Sequence, residues 1–266
     1  MASSIKDSKS VLVTGATSGI GKALALAISQ LASKPEVIAV GRRKERLAEL
    51  QQSGLQAVSL DLAMEHTKLK DELETIITKY PEIDSVVLCA GIQHEIDLSK
   101  PETIKFENIL EEININYTSI VATITYLLPH FQKLAASGRP CNIIVISSGL
   151  CMIPAAWVPN YSATKAALHS FTMALRASLH GTTIRVVEVY PPLVESELHD
   201  AYGTTEKLSK TWMSLEEFVK LTMPPLINGD VDIPIGMSVG VFQKYEAGKT
   251  EFATQLSVGH KAGKMY

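Results

Sequence analysis

Cysteine is scarce in this chain: three among 266 residues, Cys89, Cys141 and Cys151. An odd number, never spaced as CxxC, speaks against both a disulfide scaffold and a zinc site. Cys89 and Cys141 lie in or beside apolar runs, where a thiol packs as a small inert hydrophobe. Charge of one sign is lacking too. The formal net charge is −3, from 25 basic and 28 acidic side chains. With no block of like charge, the chain offers no field for nucleic acid or an anionic membrane and no charged tail. No apolar run reaches the length needed to span a bilayer, and the first ten residues, MASSIKDSKS, lack the apolar stretch of a signal peptide. There is no internal repeat and no low-complexity linker. What remains is a single domain, 46% hydrophobic, with enough apolar material for one sizeable core. It is expected to be soluble, reduced and cytoplasmic.

Short apolar runs alternate with amphipathic stretches, the pattern of a doubly wound α/β domain, a parallel sheet with helices on both faces. Strands are expected at 10–14, 37–40, 57–60, 85–89, 142–147 and 184–190. Their apolar character is continuous rather than alternating, as in strands buried on both sides. Helices are expected at 20–31, 44–52, 67–79, 103–136 and 159–180, with Pro129 kinking or interrupting the long one. After Tyr190 the rhythm breaks. Residues 191–230 carry several prolines and two helical snippets and read as a substrate lid, and 231–236 reads as an edge strand.

Two local patterns carry chemistry. Gly15, Gly19 and Gly21, in Thr14-Gly15-Ala16-Thr17-Ser18-Gly19-Ile20-Gly21, follow the first strand and open an amphipathic helix. Gly15 allows the tight turn, Gly19 lets backbone amides approach a pyrophosphate whose charge the helix N-terminus stabilises, and Gly21 permits close helix-on-sheet packing. The second strand runs into Arg42-Arg43-Lys44, with no acid there to accept from the ribose hydroxyls. Cations at that point favour a 2′-phosphate, hence NADP(H) over NAD(H). Asp61 is placed to meet the adenine edge; a turn or helix cap is the plainer alternative.

The second pattern is Tyr161-Ser162-Ala163-Thr164-Lys165, with Ser148 upstream at the end of the fifth strand. A phenol is a poor acid or base near neutrality, its ordinary pKa being about 10. Residues i and i+4 share a helix face, so the Lys165 ammonium can stand near the phenol and lower that value. Ser148 can hydrogen-bond a substrate carbonyl oxygen and stabilise charge developing there. The overlapping Ser162-x-x-Lys165 could mark a serine acyl-transfer enzyme, but no KTG or SDN element accompanies it.

With these residues in hand, the chain resembles the short-chain dehydrogenase/reductase family over nearly its whole length. TGATSGIG matches the family's TGxxxGxG loop, Ile146-Ser147-Ser148 its catalytic-serine strand, and Tyr161 through Lys165 its YxxxK. The resemblance implies a Rossmann-type sheet of six to seven strands, reversible hydride transfer between NADP(H) and a ketone or aldehyde, and Asn116 as a fourth catalytic residue, helping to hold a water that links the lysine to a proton relay. The cofactor-binding set it implies is Gly15, Thr17, Ser18, Gly19, Ile20, Arg42, Arg43, Asp61, Leu62, Ala90, Gly91, Tyr161, Lys165, Pro191, Val194 and Ser196. Ala90 to Gln93, Ser147 to Leu150, Tyr161 to Ser170 and Glu188 to Pro192 look like the DltE-like oxidoreductase branch, a label that specifies no substrate. There are two departures. Cys89 stands where the family has an asparagine before Ala-Gly, and Pro192 replaces the glycine of the loop after the sixth strand.

Substrate contacts are expected from Leu150, Met152, Trp157, Leu193 and Tyr202, with His94 as a polar candidate; the apolar majority points to a medium-sized hydrophobic or aromatic ketone. His130, His169 and His180 lack metal-like spacing, so no metal is expected. Members of the family commonly pair through the helices that here would be 103–136 and 159–180, which implies a homodimer or homotetramer. Two rival functions remain: a cofactor-binding regulatory or scaffold protein with little turnover, prompted by Cys89 and Pro192, and a lyase or epimerase using transient oxidation, for which the chain looks short.

Overall fold

The computed structural model describes residues 4–198 and 205–263. Seven parallel strands form one sheet in the order β3-β2-β1-β4-β5-β6-β7. They are β1 Ser10–Thr14, β2 Glu36–Gly41, β3 Gln56–Ser59, β4 Ile83–Leu88, β5 Cys141–Ile146, β6 Ile184–Tyr190 and β7 Asp232–Pro234. The helices are α1 Gly19–Ser29, α2 Lys44–Gln52, α3 His66–Lys79, α4 Phe106–Ile113, α5 Ser119–Ala136, α6 Pro159–Ser178, α7 Thr205–Leu208, α8 Leu215–Asn228, α9 Ser238–Tyr245 and α10 Lys249–Lys261. The expected doubly wound sheet is therefore present. Strands β1, β4 and β5 are buried throughout, which is why their sequences read as unbroken apolar runs.

Two apolar layers sandwich the sheet. On one face Leu12, Val86, Ile143 and Val186 pack with Leu73, Leu127, Phe131 and Leu168 of α3, α5 and α6. On the other, Val13, Val87, Ile144 and Val189 pack with Leu24, Ile28, Leu50 and Phe218 of α1, α2 and α8. Because β1 pairs with both β2 and β4, strand order reverses there. The crevice beyond the carboxyl ends of β1 and β4 is where such sheets bind ligands.

Three expectations change. The long helix predicted at 103–136 is two helices, α4 and α5, joined by one turn of π-helix, Asn114–Thr118. The break is there and not at Pro129, which sits inside α5 with the helix continuing to Ala136. A π turn inserts one residue into the ladder and such turns gather at functional sites; proline periodicity gave no hint of it. The 191–230 stretch is not uniform. Val194 bridges Met213, with Met213 N donating to Leu193 O at 2.9 Å and Glu195 N to Met213 O at 2.9 Å. This bridge ties the residues that follow β6 to the approach of α8. Beyond it α8 docks on the α1 side of the sheet and buries Phe218 completely, a contribution of about 1.5–3 kcal/mol.

The packing role expected of Gly21 has a geometric basis. A Cβ on Gly21 would stand 2.3 Å from Gly15 O, and one on Gly15, whose φ is +65°, would stand 2.8 Å from Ala90 N. Backbone on both sides leaves neither clash an easy escape. Gly21→Ala is expected to destabilise the fold by about 1–3 kcal/mol; a urea midpoint unchanged from the parent chain would refute it.

Candidate active site

The carboxyl end of β5 delivers Ser148, which is 8% exposed and accepts a hydrogen bond from Leu150 N at 3.1 Å as the chain enters a single 3₁₀ turn. Helix α6, with Pro159 at its first turn, carries Tyr161 and Lys165 on its buried face. The Lys165 ammonium donates to Ile146 O at 3.1 Å and lies 5.6 Å from the Tyr161 ring centroid. The turn after β4 completes the group. A Cβ on Gly91 would stand 3.3 Å from Asn116 Oδ1 and 3.8 Å from Lys165 Nζ, so the π turn, Gly91 and α6 converge. Ser148, Tyr161, Lys165 and Asn116, chosen from sequence, are thus brought together.

Asn116 is fully buried, and its amide is consumed by structure. Oδ1 accepts from Ile92 N at 2.8 Å, while Nδ2 donates to Ile92 O at 2.8 Å and to Thr164 Oγ1 at 3.2 Å. The side chain clamps the post-β4 loop to α6.

The electrostatics differ from expectation. Burial pushes the Tyr161 phenol above its ordinary value, with the Ser148 hydroxyl working in the opposite direction. Burial likewise lowers Lys165, and Cys89, Cys151 and Glu188 pull it back. For the phenol the net direction is upward, and burial is its largest cause.

Cys89 causes little local disruption. Thr14 Oγ1 accepts from Cys89 N at 3.1 Å and Ala90 N at 3.5 Å and donates to Val87 O at 3.4 Å. The β1 hydroxyl therefore holds the end of β4 without an asparagine. Burial pushes the Cys89 thiol up to about 12, with Lys165 opposing. Pro192 lies against Gly236, where a Cβ would meet its Cγ at 3.4 Å. The carbonyl before it is held, Gly149 N donating to Pro191 O at 2.9 Å.

The glycine cradle fits a dinucleotide. Ser18 precedes α1 in extended conformation, its helix N-terminus aimed at the crevice, and Thr17 packs against Gly41, whose Cβ would lie 2.5 Å from Thr17 Cγ2. Leu62 is buried. Asp61 Oδ1 accepts from Ala63 N at 3.1 Å and faces Arg42 at 3.8 Å, so in this structure it closes a turn. The cations hold a further arrangement. Arg43 reaches Glu197 at 2.6 Å, and Arg46, which also donates to Thr17 O at 3.2 Å, reaches it at 2.5 Å. Ser196 stands over Gly19, where a Cβ would meet its Cβ at 3.2 Å, and Val194 is buried. A carboxylate thus sits where sequence reasoning placed a phosphate. Glu197 and Arg46 were missed: Arg46 is one helical turn beyond the Arg42-Arg43 pair, and Glu197 is 154 positions from Arg43.

Beside the phenol, Ala155, Val158 and Tyr161 form an apolar cluster with Leu150 and Leu198 packed on it. Leu198 was not anticipated. Met152 and Leu193 are half-buried, Trp157 is 64% exposed, and Tyr202 lies outside the described residues. His94 faces Glu111 at 3.5 Å, and its amide donates to Glu112 Oε1. Glu112, fully buried and also unanticipated, accepts from Asn160 Nδ2 at 2.5 Å; it ties the post-β4 loop to the residue before Tyr161, and burial raises its pKa.

His169 lies one turn beyond Lys165. Its Nδ1 meets Glu188 Oε2 at 3.0 Å and its Nε2 meets Glu246 Oε2 at 3.1 Å. With Cys151 it forms a group of possible donor atoms within 4.8 Å of one another, although both ring nitrogens are already engaged by carboxylates. No helix among the described residues is long and apolar enough to cross a membrane.

Comparison with known proteins agrees with this geometry. Residues 9–207 match the family model of short chain dehydrogenases. The chain is similar to a Bacillus subtilis protein named uncharacterized oxidoreductase DltE, 34% identical over 225 residues, covering 84% of this chain and 86% of the relative. It is also similar to sulfoacetaldehyde reductase 2 of Chromohalobacter salexigens, 30% identical over 70% of this chain and 73% of that one. Among solved structures, a closed serine dehydrogenase complexed with NADP+ aligns with a TM-score of 0.71 at 27% identity, covering 85% of this chain and 94% of it. A short-chain dehydrogenase from Sphingobium yanoikuyae in complex with NADPH aligns with a TM-score of 0.77 at 22% identity, covering 92% and 93%, a likeness of fold alone.

Proposed function

Because the chain belongs to the short-chain dehydrogenase/reductase family and is an oxidoreductase of it, we propose that it is an NADPH-dependent carbonyl reductase acting on a hydrophobic ketone or aldehyde. The observation that carries the reading is the convergence of Ser148, Tyr161 and Lys165 at the crevice with an apolar cluster alongside. NADPH would lie along the Gly15–Gly21 cradle, with Arg42, Arg43 and Arg46 toward its 2′-phosphate and Asp61, Leu62, Ala90, Gly91, Pro191, Val194 and Ser196 lining its path. Bound there it supplies the hydride delivered to the carbonyl carbon. Ser148 donates a hydrogen bond to the carbonyl oxygen as negative charge builds on it. Tyr161 passes its phenolic proton to that oxygen, completing the alcohol, and Lys165 holds positive charge beneath the phenolate left behind. A phenol raised by burial keeps its proton until the substrate oxygen needs it, which suits reduction. Leu150 and Leu198, with Met152, Trp157 and Leu193, would face the substrate.

Two similar proteins support the class: a relative named sulfoacetaldehyde reductase and a serine dehydrogenase solved with NADP+. The scaffold alternative leaned on Cys89 and Pro192; Thr14 holds the β4 end beside Cys89, and no specific observation favours that reading. The reading is tested by following NADPH consumption optically across ketones, diketones and aldehydes, with NADH in parallel. Turnover preferring NADPH is expected, and tight NADPH binding with no turnover on any of them would overturn it. The unpaired cysteines support a reducing, cytoplasmic setting.

Homodimerisation, with a homotetramer as its extension, is part of the proposal. Phe106, Leu110 and Ile113 lie exposed on α4 at helical spacing, an apolar stripe next to α5. Helix α10 lies along α6 in the same chain, with Arg176 donating to Thr250 Oγ1 at 3.2 Å and Lys261 to Ser178 O at 3.0 Å, so pairing is assigned to the α4–α5 side. Sedimentation at micromolar concentration should give at least twice the 28.9 kDa chain mass; a monomer would refute it.

A further inference from the structure

Tyr161, Lys165 and His169 occupy positions i, i+4 and i+8 on the buried face of α6. Beneath them runs β6. Alternation along a strand puts Ile184, Val186, Glu188 and Tyr190 on one face, and the first two pack with Leu168 and Leu175 of α6. The row is apolar at its start and turns polar toward the site. Glu188 is completely buried. Its Oε2 takes His169 Nδ1 at 3.0 Å and the Tyr190 hydroxyl at 3.2 Å, while its Oε1 has no hydrogen-bond partner. Lys165 donates to Ile146 O, and Ile146 pairs in register with Val189, the residue after Glu188. A fully buried carboxylate with an unused oxygen therefore stands under the catalytic helix, next to the strand position that receives the lysine.

We infer that the Glu188–His169–Glu246 cluster is a charge-setting unit for the proposed proton-transfer pair, with Glu188 as a positioning residue that stabilises the Lys165 ammonium and His169 offsetting the carboxylates. The charged and titratable surroundings are specific. From β6 come Glu188 and Tyr190; from the end of α9, Glu246, which Lys249 of α10 meets at 2.7 Å; from β7, Asp232, which accepts from Tyr190 at 2.8 Å and pairs with Arg176 of α6 at 3.0 Å. Cys89 and Cys151 approach from the ends of β4 and β5, and Glu112 of α4 acts on Tyr161. Burial lowers Lys165; Cys89 and Cys151, then Glu188, oppose it. Burial pushes both thiols up to about 12, so at neutral pH they carry no charge. For His169 burial works to lower the pKa, yet the hydrogen bonds it donates to Glu188 and Glu246 and their negative charge outweigh burial and raise the value. The imidazolium form thus extends upward from the ordinary histidine range, and the offset is lost as pH rises through the raised value.

The inference rests on Tyr161 and Lys165 being the proton-transfer pair, and its test is separable from that assignment. The Lys165 Cε resonance, in protein carrying ¹³C-lysine and assigned with Lys165→Met, reports the proton affinity of the ammonium without turnover. The pH dependence of kcat/KM for reduction reports it in the working enzyme. Glu188→Gln removes a negative charge, so both titrations should move to lower pH. His169→Gln removes the offsetting positive charge, so both should move to higher pH. Each shift should be about one pH unit, the size expected of one charge a few ångströms away. Opposite signs are the signature, because general loosening of the core would move both variants the same way. Shifts of the same sign, or none, overturn the inference. Should Glu188→Gln fail to fold, Glu246→Gln decides, with the same sign at smaller size expected and no movement counting against. Full activity in Tyr161→Phe would instead sink the assignment of the pair and leave the Lys165 titration as an independent result.

Discussion

Tyr161→Phe should lower kcat/KM for carbonyl reduction by about 10²–10⁴-fold, the usual worth of a positioned proton donor, while NADPH affinity changes by less than about threefold. The substitution removes one oxygen. Tyr161 is 7% exposed and packs its ring against Ala155 and Val158, and phenylalanine keeps those contacts, so the fold is retained. What is lost is the proton for the substrate oxygen. Ser148 remains to polarise the carbonyl, and hydride delivery is not itself removed, so a residual rate is expected. The measurement is steady-state kinetics with NADPH binding followed in parallel; normal turnover would remove Tyr161 from the mechanism.

Cofactor selectivity gives the second large effect, and here the structure changes which residues matter. Arg43 and Arg46 both grip Glu197, and Arg42 is 58% exposed and 3.8 Å from Asp61. Removing Arg43 and Arg46 together should weaken NADPH binding by about 10–100-fold, the loss of one or two charge-assisted hydrogen bonds, and leave NADH binding within about twofold. Glu197→Gln should act the other way and strengthen NADPH binding several-fold, since the phosphate no longer competes with a carboxylate for the same guanidinium groups. Isothermal titration with each cofactor separates the cases. Equal losses for NADPH and NADH would mean that these arginines hold the loop and do not select the phosphate. Arg42→Asp carries the remaining test: it should reverse the preference, and unchanged NADPH affinity would free Arg42 of the role.

Much of the site was legible because its logic is local. The glycine loop joins β1 to α1 within a few residues, and the steric reason for Gly21, its approach to Gly15 O, holds at short range. Tyr161 and Lys165 share a face by helix geometry alone. Ser148 follows the end of an apolar strand. Other features had no local signal. The π turn around Asn116 arises where α4 hands over to α5, and the Asn116 amide is drawn in by Ile92 and Thr164, partners far apart in sequence. Pro129 read as a breaker, yet α5 runs through it.

By itself the sequence determined the alternation of strand and helix, the cradle and the YxxxK face, because each depends on periodicity or on backbone sterics between near neighbours. The tertiary structure alone decided which charges meet. Glu197 reaches Arg43 and Arg46 across 154 positions, Glu112 joins His94 to Asn160, and His169 lies between Glu188 and Glu246. The depth of burial that raises Tyr161 and lowers Lys165 belongs to the same class. Desolvation and ion pairing depend on what the fold stacks around a group, and no pattern of neighbouring letters encodes that.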